Sequence, residues 1–137
     1  MKRGLAPLAE ITLRKYETPT KGNRRELIKR FCLSVGLLNP GESRELIVDL
    51  FELFLNNRRG LTTAEIEEQL AKKHAISGIR RHIRRLIEIK LLEKNKRVYR
   101  LPEGNSLTYA VEYLAKRYVV DEIYSRIVEY AKILDES

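Results

Sequence analysis

Four arginines fall within six residues, at Arg80, Arg81, Arg84 and Arg85, and no acid occurs from residue 76 to residue 87. A guanidinium stays charged at any ordinary pH. Its fork of donors matches phosphate oxygens, or O6 and N7 of guanine. On a helix with Ile79, Ile83, Leu86 and Ile87 turned inward, Arg81 and Arg85 point most nearly outward, with Arg84 and Glu88 beside them. Arg80 lies at one flank and His82 at the other. A solvated helix normally mixes signs to form i,i+4 pairs. An arginine face of helical width instead fits the major groove of B-DNA, with a merely solvated basic face as the competing reading. Lys94, Lys96, Arg97 and Arg100 follow at once. They can reach adjacent phosphates or the minor groove, unless they only guard an edge strand against aggregation. Arg24, Arg25, Lys29 and Arg30 are a weaker set of candidate phosphate contacts.

Catalytic constellations are harder to find. His74 and His82 stand eight apart with no Cys, Asp or Glu cluster at ligand spacing, so no metal site is expected. Asp49 and Glu52 read as the solvated edge of a helix rather than as a paired acid and base. Cys32 lies on an apolar stripe, which predicts a buried, inert thiol. No phosphate-cradling GxxxxGK[ST] or GxGxxG run occurs, and no nucleophile elbow accompanies a base. Neither enzymatic activity nor a cofactor is expected.

The whole composition agrees with a polyanion as partner. The chain has 137 residues, 27 Lys and Arg, 19 Asp and Glu, and a formal net charge of +8. Its sequence pI is near 9.7. Residues 1–30 hold nine basic and three acidic side chains, and residues 76–101 hold nine and two. The intervening segment is net −2 and residues 102–137 are net −3, so the basicity is local. A charge-rich, thermophile-type surface explains the abundance of Lys, Arg and Glu. It does not explain the near absence of acids in residues 76–101. A 43% hydrophobic fraction excludes disorder of the whole chain. One cysteine excludes a disulfide framework. Lys2 and Arg3 precede no long apolar run, and nothing approaches 18 apolar residues in succession. A soluble, cytoplasmic protein without membrane contact is expected.

The elements that must position these residues follow from periodicity. Residues 1–23 read as an arm and linker, with a possible short helix over 8–17 placing Leu8, Ile11 and Tyr16 inward. A first full helix starts at Arg24 and buries Leu27, Ile28, Phe31, Cys32 and Val35. A second, over 45–57 and capped by Ser43, has the widest apolar face and should be central to the core. Thr62 and Glu65 form a capping box for a third helix over 63–73, and a fourth spans 77–90 with Ser77 as the nearest capper. Residues 91–94 and 97–101 read as a hairpin joined by Asn95–Lys96, its turn type left open by Lys96. Residues 106–134 are helical, but the stripe slips: Leu107, Val111, Leu114 and Tyr118 share one face, and Val120, Ile123, Ile127, Ala131 and Leu134 another. Either the helix breaks near Tyr118–Asp121 with Asp121 as a new N-cap, which is the favoured reading, or one long helix meets different partners with its two halves.

This order, over residues 45–101, resembles the winged helix-turn-helix domain of bacterial and archaeal transcriptional regulators. The resemblance rests on LTTAEIEEQLAKKHAISGIRRHIRRLIEIKLLEKNKRVYRL, residues 61–101. The pattern departs where Ala75 replaces the usual Ser/Thr cap and Lys90 the usual glycine. It implies a mainly α fold with a small β-hairpin (α+β). The winged helix-turn-helix would span 24–101, with an N-terminal arm (1–23) and a C-terminal helical extension (102–137). It further implies sequence-specific binding of double-stranded DNA, in which Ser77, Arg80, Arg81, His82, Arg84 and Arg85 face the major groove. Lys94, Lys96, Arg97 and Arg100 would form the wing. The apolar surplus of residues 106–134 points to a homodimer, and no small-molecule effector or pocket is evident. The main alternative is a winged-helix protein–protein interaction module in a transcription, replication or chromosome-maintenance complex. RNA binding lacks an aromatic platform among the arginines.

Overall fold

A computed structural model describes residues 5–137, so the charges of Lys2 and Arg3 lie outside the described residues. The chain runs through α1 (Arg24–Ser34), α2 (Leu46–Asn56), β1 (Leu61–Thr62), α3 (Thr63–Leu70), α4 (Ile76–Glu88), β2 (Glu93–Asn95) and β3 (Val98–Arg100). A last helical region follows: α5 (Leu107–Tyr109), a π-helical segment (Ala110–Val120) and α6 (Asp121–Asp135). The protein is thus mainly helical with one small antiparallel sheet, ordered β1-β3-β2.

α2 is the hub, as its wide apolar face requires. Leu46, Ile47, Val48, Leu50, Phe51 and Phe54 are all buried. Phe51 meets Phe31 of α1 edge to face, with ring centroids 5.4 Å apart. Ile66 and Leu70 of α3, and Ile79, Ile83 and Leu86 of α4, complete the same core. α4 packs its apolar stripe against α2, which leaves its opposite face to solvent.

Several expected boundaries move. α2 starts at Leu46 with Glu45 as N-cap and no side-chain cap bond. Ser43 lies too early, and the Glu45 carboxylate is held by Arg25 and Lys29. The Thr62–Glu65 capping box forms as read, but α3 ends at Leu70, where the amides of Lys73 and His74 both return to the Leu70 carbonyl. α4 begins at Ile76 rather than at Ser77, which lies inside the first turn; Ala75 is the N-cap and makes no cap bond.

At the other end of α4, Lys90 adopts φ +69°, the left-handed role a glycine would fill. Its amide bonds the Ile87 carbonyl at 3.1 Å, and the Leu91 amide bonds that of Leu86 at 2.9 Å. Leu86 and Leu91 are buried together, so the helix closes in a full Schellman motif despite the lysine. Lys90→Gly is expected to raise stability by up to about 1 kcal/mol, read as a higher denaturation midpoint at unchanged slope.

The hairpin turn is one residue later than expected. Asn95 pairs with Val98, so Lys96–Arg97 form the connection, with Lys96 at φ +61°. A third strand, β1, adds Leu61 and Thr62 opposite Tyr99 and Val98. Gly60 allows this: at φ +103°, a Cβ there would lie 2.3 Å from Val98 Cγ1 and 2.8 Å from the Tyr99 carbonyl oxygen.

The arm is not helical over residues 8–17. Leu8 is exposed, and Ile11 and Tyr16 are only half-buried. Its anchor is Arg14, whose amide bonds the Ser34 carbonyl and whose guanidinium reaches the carbonyls of Leu33 (2.8 Å) and Leu38 (3.1 Å). A cation placed there caps the free carbonyls at the end of α1.

The favoured break near Tyr118–Asp121 does not occur. Asp121 has helical φ/ψ, and its amide bonds the Lys116 carbonyl five residues back. π winding explains the slipping stripe. Ala110, Ala115 and Val119 are buried at spacings of five and four, whereas Tyr118 is exposed. Small alanines let this segment approach the core closely. α6 then leaves the core and buries nothing.

Candidate nucleic-acid interface

α4 presents its arginines because its other face is committed to the core. Arg80, Arg81 and Arg84 are exposed, Arg85 and His82 half-buried, and Ser77 exposed in the first turn. Beside them the hairpin exposes Lys94, Lys96 and Arg97 and half-buries Arg100. The two elements border a cleft of about 410 Å³ lined by Thr63, Arg80, Ile83, Arg84, Ile87 and Tyr99. Of the sequence-selected residues Arg80 and Arg84 line this cleft, whereas His82 lies on another side of α4, near Glu42, Arg44 and His74.

They are not equally free. Arg80 bonds Glu67 of α3 at 3.2 Å. Arg100 bonds Glu93 across the hairpin at 3.1 Å, and Arg85 lies 3.9 Å from Glu88. Among the described residues, no acid is within ion-pair distance of Arg81, Arg84, Lys94, Lys96 or Arg97. The Lys94 ammonium sits over the Tyr99 ring, 5.4 Å from its centroid, which holds it against the sheet.

The basic residues of α1 behave differently. Arg25 bonds Asp49 at 2.7 Å and Glu45 at 3.1 Å, Lys29 pairs with Glu45, and Arg30 bonds Glu17 at 2.6 Å. Arg24 donates to Asn56 at 2.7 Å. The charges of Arg25, Lys29 and Arg30 are neutralised locally and help hold α1, α2 and the arm together, whereas Arg24 meets only a neutral amide. That weakens those three as phosphate candidates, while α4 and the hairpin keep a cluster of cations without acidic partners.

Asp49 is not a solvated edge. Burial pushes its carboxyl up, but bonds from His74 (2.7 Å) and Arg25 outweigh this and hold it below its ordinary value. His74 lies in the turn that delivers α4, so the Arg25–Asp49–His74 chain ties that turn to α1 and α2. His82 is pushed below the ordinary histidine value by burial first, then by Arg81, against an opposing pull from Glu42, with smaller downward pushes from Arg44 and His74. It is therefore neutral at pH 7, and the charge of α4 comes from arginine alone. Arg44, in the loop before α2, belongs beside the α4 surface; nothing in the local pattern of the sequence marks it.

These two depressed groups fix a sign. The unfolded chain takes up a proton at His82 below about pH 6.5, before the folded chain does, so folding stability falls as pH drops through that value. Asp49 adds a further loss below its ordinary carboxylate value. The melting temperature is expected to decline from pH 7 to pH 5, and His82→Gln should shallow that decline. A decline of unchanged slope in the variant would assign it to other groups.

No family model, curated protein or solved structure matches the chain. Its functional reading rests on its own residues.

Burial pushes the Cys32 thiol up to about 12, which leaves it unreactive in the folded state. Among the described residues no group of His, Cys, Asp and Glu is placed to hold a metal ion. No helix among them is long and apolar enough to cross a membrane. One feature was not expected from sequence: an apolar hollow of about 350 Å³ bordered by Ile11, Leu13, Val35, Leu91, Val111 and Ala115.

Proposed function

We propose that this chain is a winged helix-turn-helix protein that binds double-stranded DNA sequence-specifically, as a transcriptional regulator rather than a catalyst. The observation that carries the reading is the unneutralised basic surface of α4 and the hairpin. Arg81 and Arg84 project from a helix free of acids over 76–87, while Arg25, Lys29 and Arg30 of α1 are already paired. α4 would enter the major groove with its N-terminal half, where Ser77, Arg81 and Arg84 meet base edges and phosphates. The hairpin would be the wing, with Lys94, Lys96 and Arg97 on the adjacent backbone. Arg80 and Arg84 border the cleft through which a phosphate strand would pass between helix and wing.

Each cation placed on a phosphate releases a counterion, so log affinity should fall linearly with log salt concentration. Five unpaired cations per subunit predict a slope of about −4 or steeper, measured by fluorescence anisotropy on duplexes selected from genomic fragments. A slope near zero, or no duplex binding at low salt, contradicts the proposal.

A protein-interaction role is favoured by one observation of its own, the exposed face of α6. We assign that face to a second copy of the chain, which would place two α4 helices on successive half-sites. The region beyond residue 101 then sets subunit spacing while α4 reads sequence.

A further inference from the structure

α6 leaves Tyr124, Ile127, Tyr130, Ile133 and Leu134 each 59–70% exposed. The arm runs beside it, and between them lies a groove of about 620 Å³. One wall is Ala6, Pro7, Leu8 and Ala9; the other is Ile123, Ile127 and Tyr130 of α6. Leu8 is 94% exposed and the nearby Leu5 78%, so the arm wall is apolar and uncovered, while Glu122 and Arg126 add charge beside the apolar side chains of the α6 wall. Exposed patches beyond a few hundred Å² are rare on monomers. The two leucines with Ile127, Tyr130 and Leu134, the exposed apolar side chains on one side of α6, offer several hundred Å² per chain, toward the roughly 800 Å² each partner contributes to a standard interface.

The pattern on α6 says what fits. Val120, Ile123, Ile127, Tyr130 and Leu134 recur at spacings of three and four, the seam of a helix that packs on another like itself. A self-matching patch closes around a two-fold axis. Asp121 and Glu122 stand in the first turn of α6 and Lys132 in the last. Asp135 and Glu136 stand at that same end, so side-chain charge does not set the direction; antiparallel helices oppose their dipoles, which parallel ones align.

We propose that two copies pair through antiparallel α6 helices, each α6 lying in the groove between the other copy's α6 and arm, so that residues 5–9 are part of the subunit interface. This rests on the two-subunit reading above and extends it to the arm, which otherwise only docks on α1 through Arg14 and Glu17.

The test is sedimentation equilibrium of the full chain. Wild type is expected to be a dimer at micromolar concentration, and Ile127→Glu a folded monomer. Leu5→Glu/Leu8→Glu, on exposed positions of the arm, should raise the dimer dissociation constant tenfold or more while circular dichroism stays unchanged. Mixing Ile123→Cys with Leu134→Cys chains should give a disulfide-linked heterodimer faster than either alone links to itself. A wild-type monomer overturns the two-subunit reading itself. A dimer indifferent to the arm substitutions overturns only the arm's part, and self-linking in preference to mixed linking overturns the antiparallel arrangement.

Discussion

Arg81→Ala/Arg84→Ala is expected to lower duplex affinity by about 2–6 kcal/mol, thirtyfold at the least, taking roughly 1–3 kcal/mol for each arginine that grips a base or phosphate. Both side chains are exposed and neither has an acidic partner, so the folded chain loses no internal ion pair and the melting temperature should hold. The loss has to be larger than for other basic residues of equal charge. Arg80→Ala should cost less binding, because its guanidinium is already shared with Glu67 at 3.2 Å. Lys29→Ala should leave binding nearly untouched, since that ammonium serves Glu45 and Glu26. Anisotropy titrations of the three variants at one salt concentration decide the ranking. Equal losses in all three would mean that only bulk charge matters.

The second large effect is on stability. Phe51→Ala should destabilise the fold by about 3–5 kcal/mol, the cost of an emptied aromatic site in a core that cannot collapse around it. Phe51 is 1% exposed at the centre of α2 and meets Phe31 edge-on, so the aromatic pair is lost as well. Against a total of about 5–15 kcal/mol for a domain of this kind, much of the chain could then be unfolded at 37 °C. Phe31→Ala removes the same pair from a side chain that is only partly buried, so it should cost distinctly less. Chemical denaturation reads both; equal losses would show that the pair, not the buried site, dominates.

The parts of this architecture that a reader of the sequence can see are those set by neighbours in the chain. Thr62 and Glu65 cap α3 as their three-residue spacing requires. Ile79, Ile83 and Leu86 recur at helical spacing, so the inner face of α4, and with it the outward arginines, follows from periodicity. Partners distant in sequence decide the rest. β1 has two residues and exists because Val98 and Tyr99 pair with it from 36 and 38 residues away. The hairpin turn moves to Lys96–Arg97 because its register is set by the pairing of Lys94 with Tyr99 and Asn95 with Val98. Ser43 and Ser77 read as caps on preference alone. Yet α2 starts where Leu46 is buried, and α4 starts one residue before its serine. π winding was invisible for the same reason: it follows from burying Ala110, Ala115 and Val119 on the core, not from a local signal.

The same distinction reshapes the charge. Composition gives Arg25, Lys29 and Arg30 the same weight as Arg81 and Arg84. Only the fold shows that the first three face Asp49, Glu45 and Glu17, whereas Arg81 and Arg84 face no acid among the described residues.

Methylation protection on a selected duplex tests the central claim most directly, because dimethyl sulfate reports N7 of guanine in the major groove. With α4 in that groove, bound protein should protect guanine N7 within the site, and Arg81→Ala/Arg84→Ala should abolish the protection at concentrations where the wild type saturates. Full binding with every guanine N7 still open to methylation would contradict it.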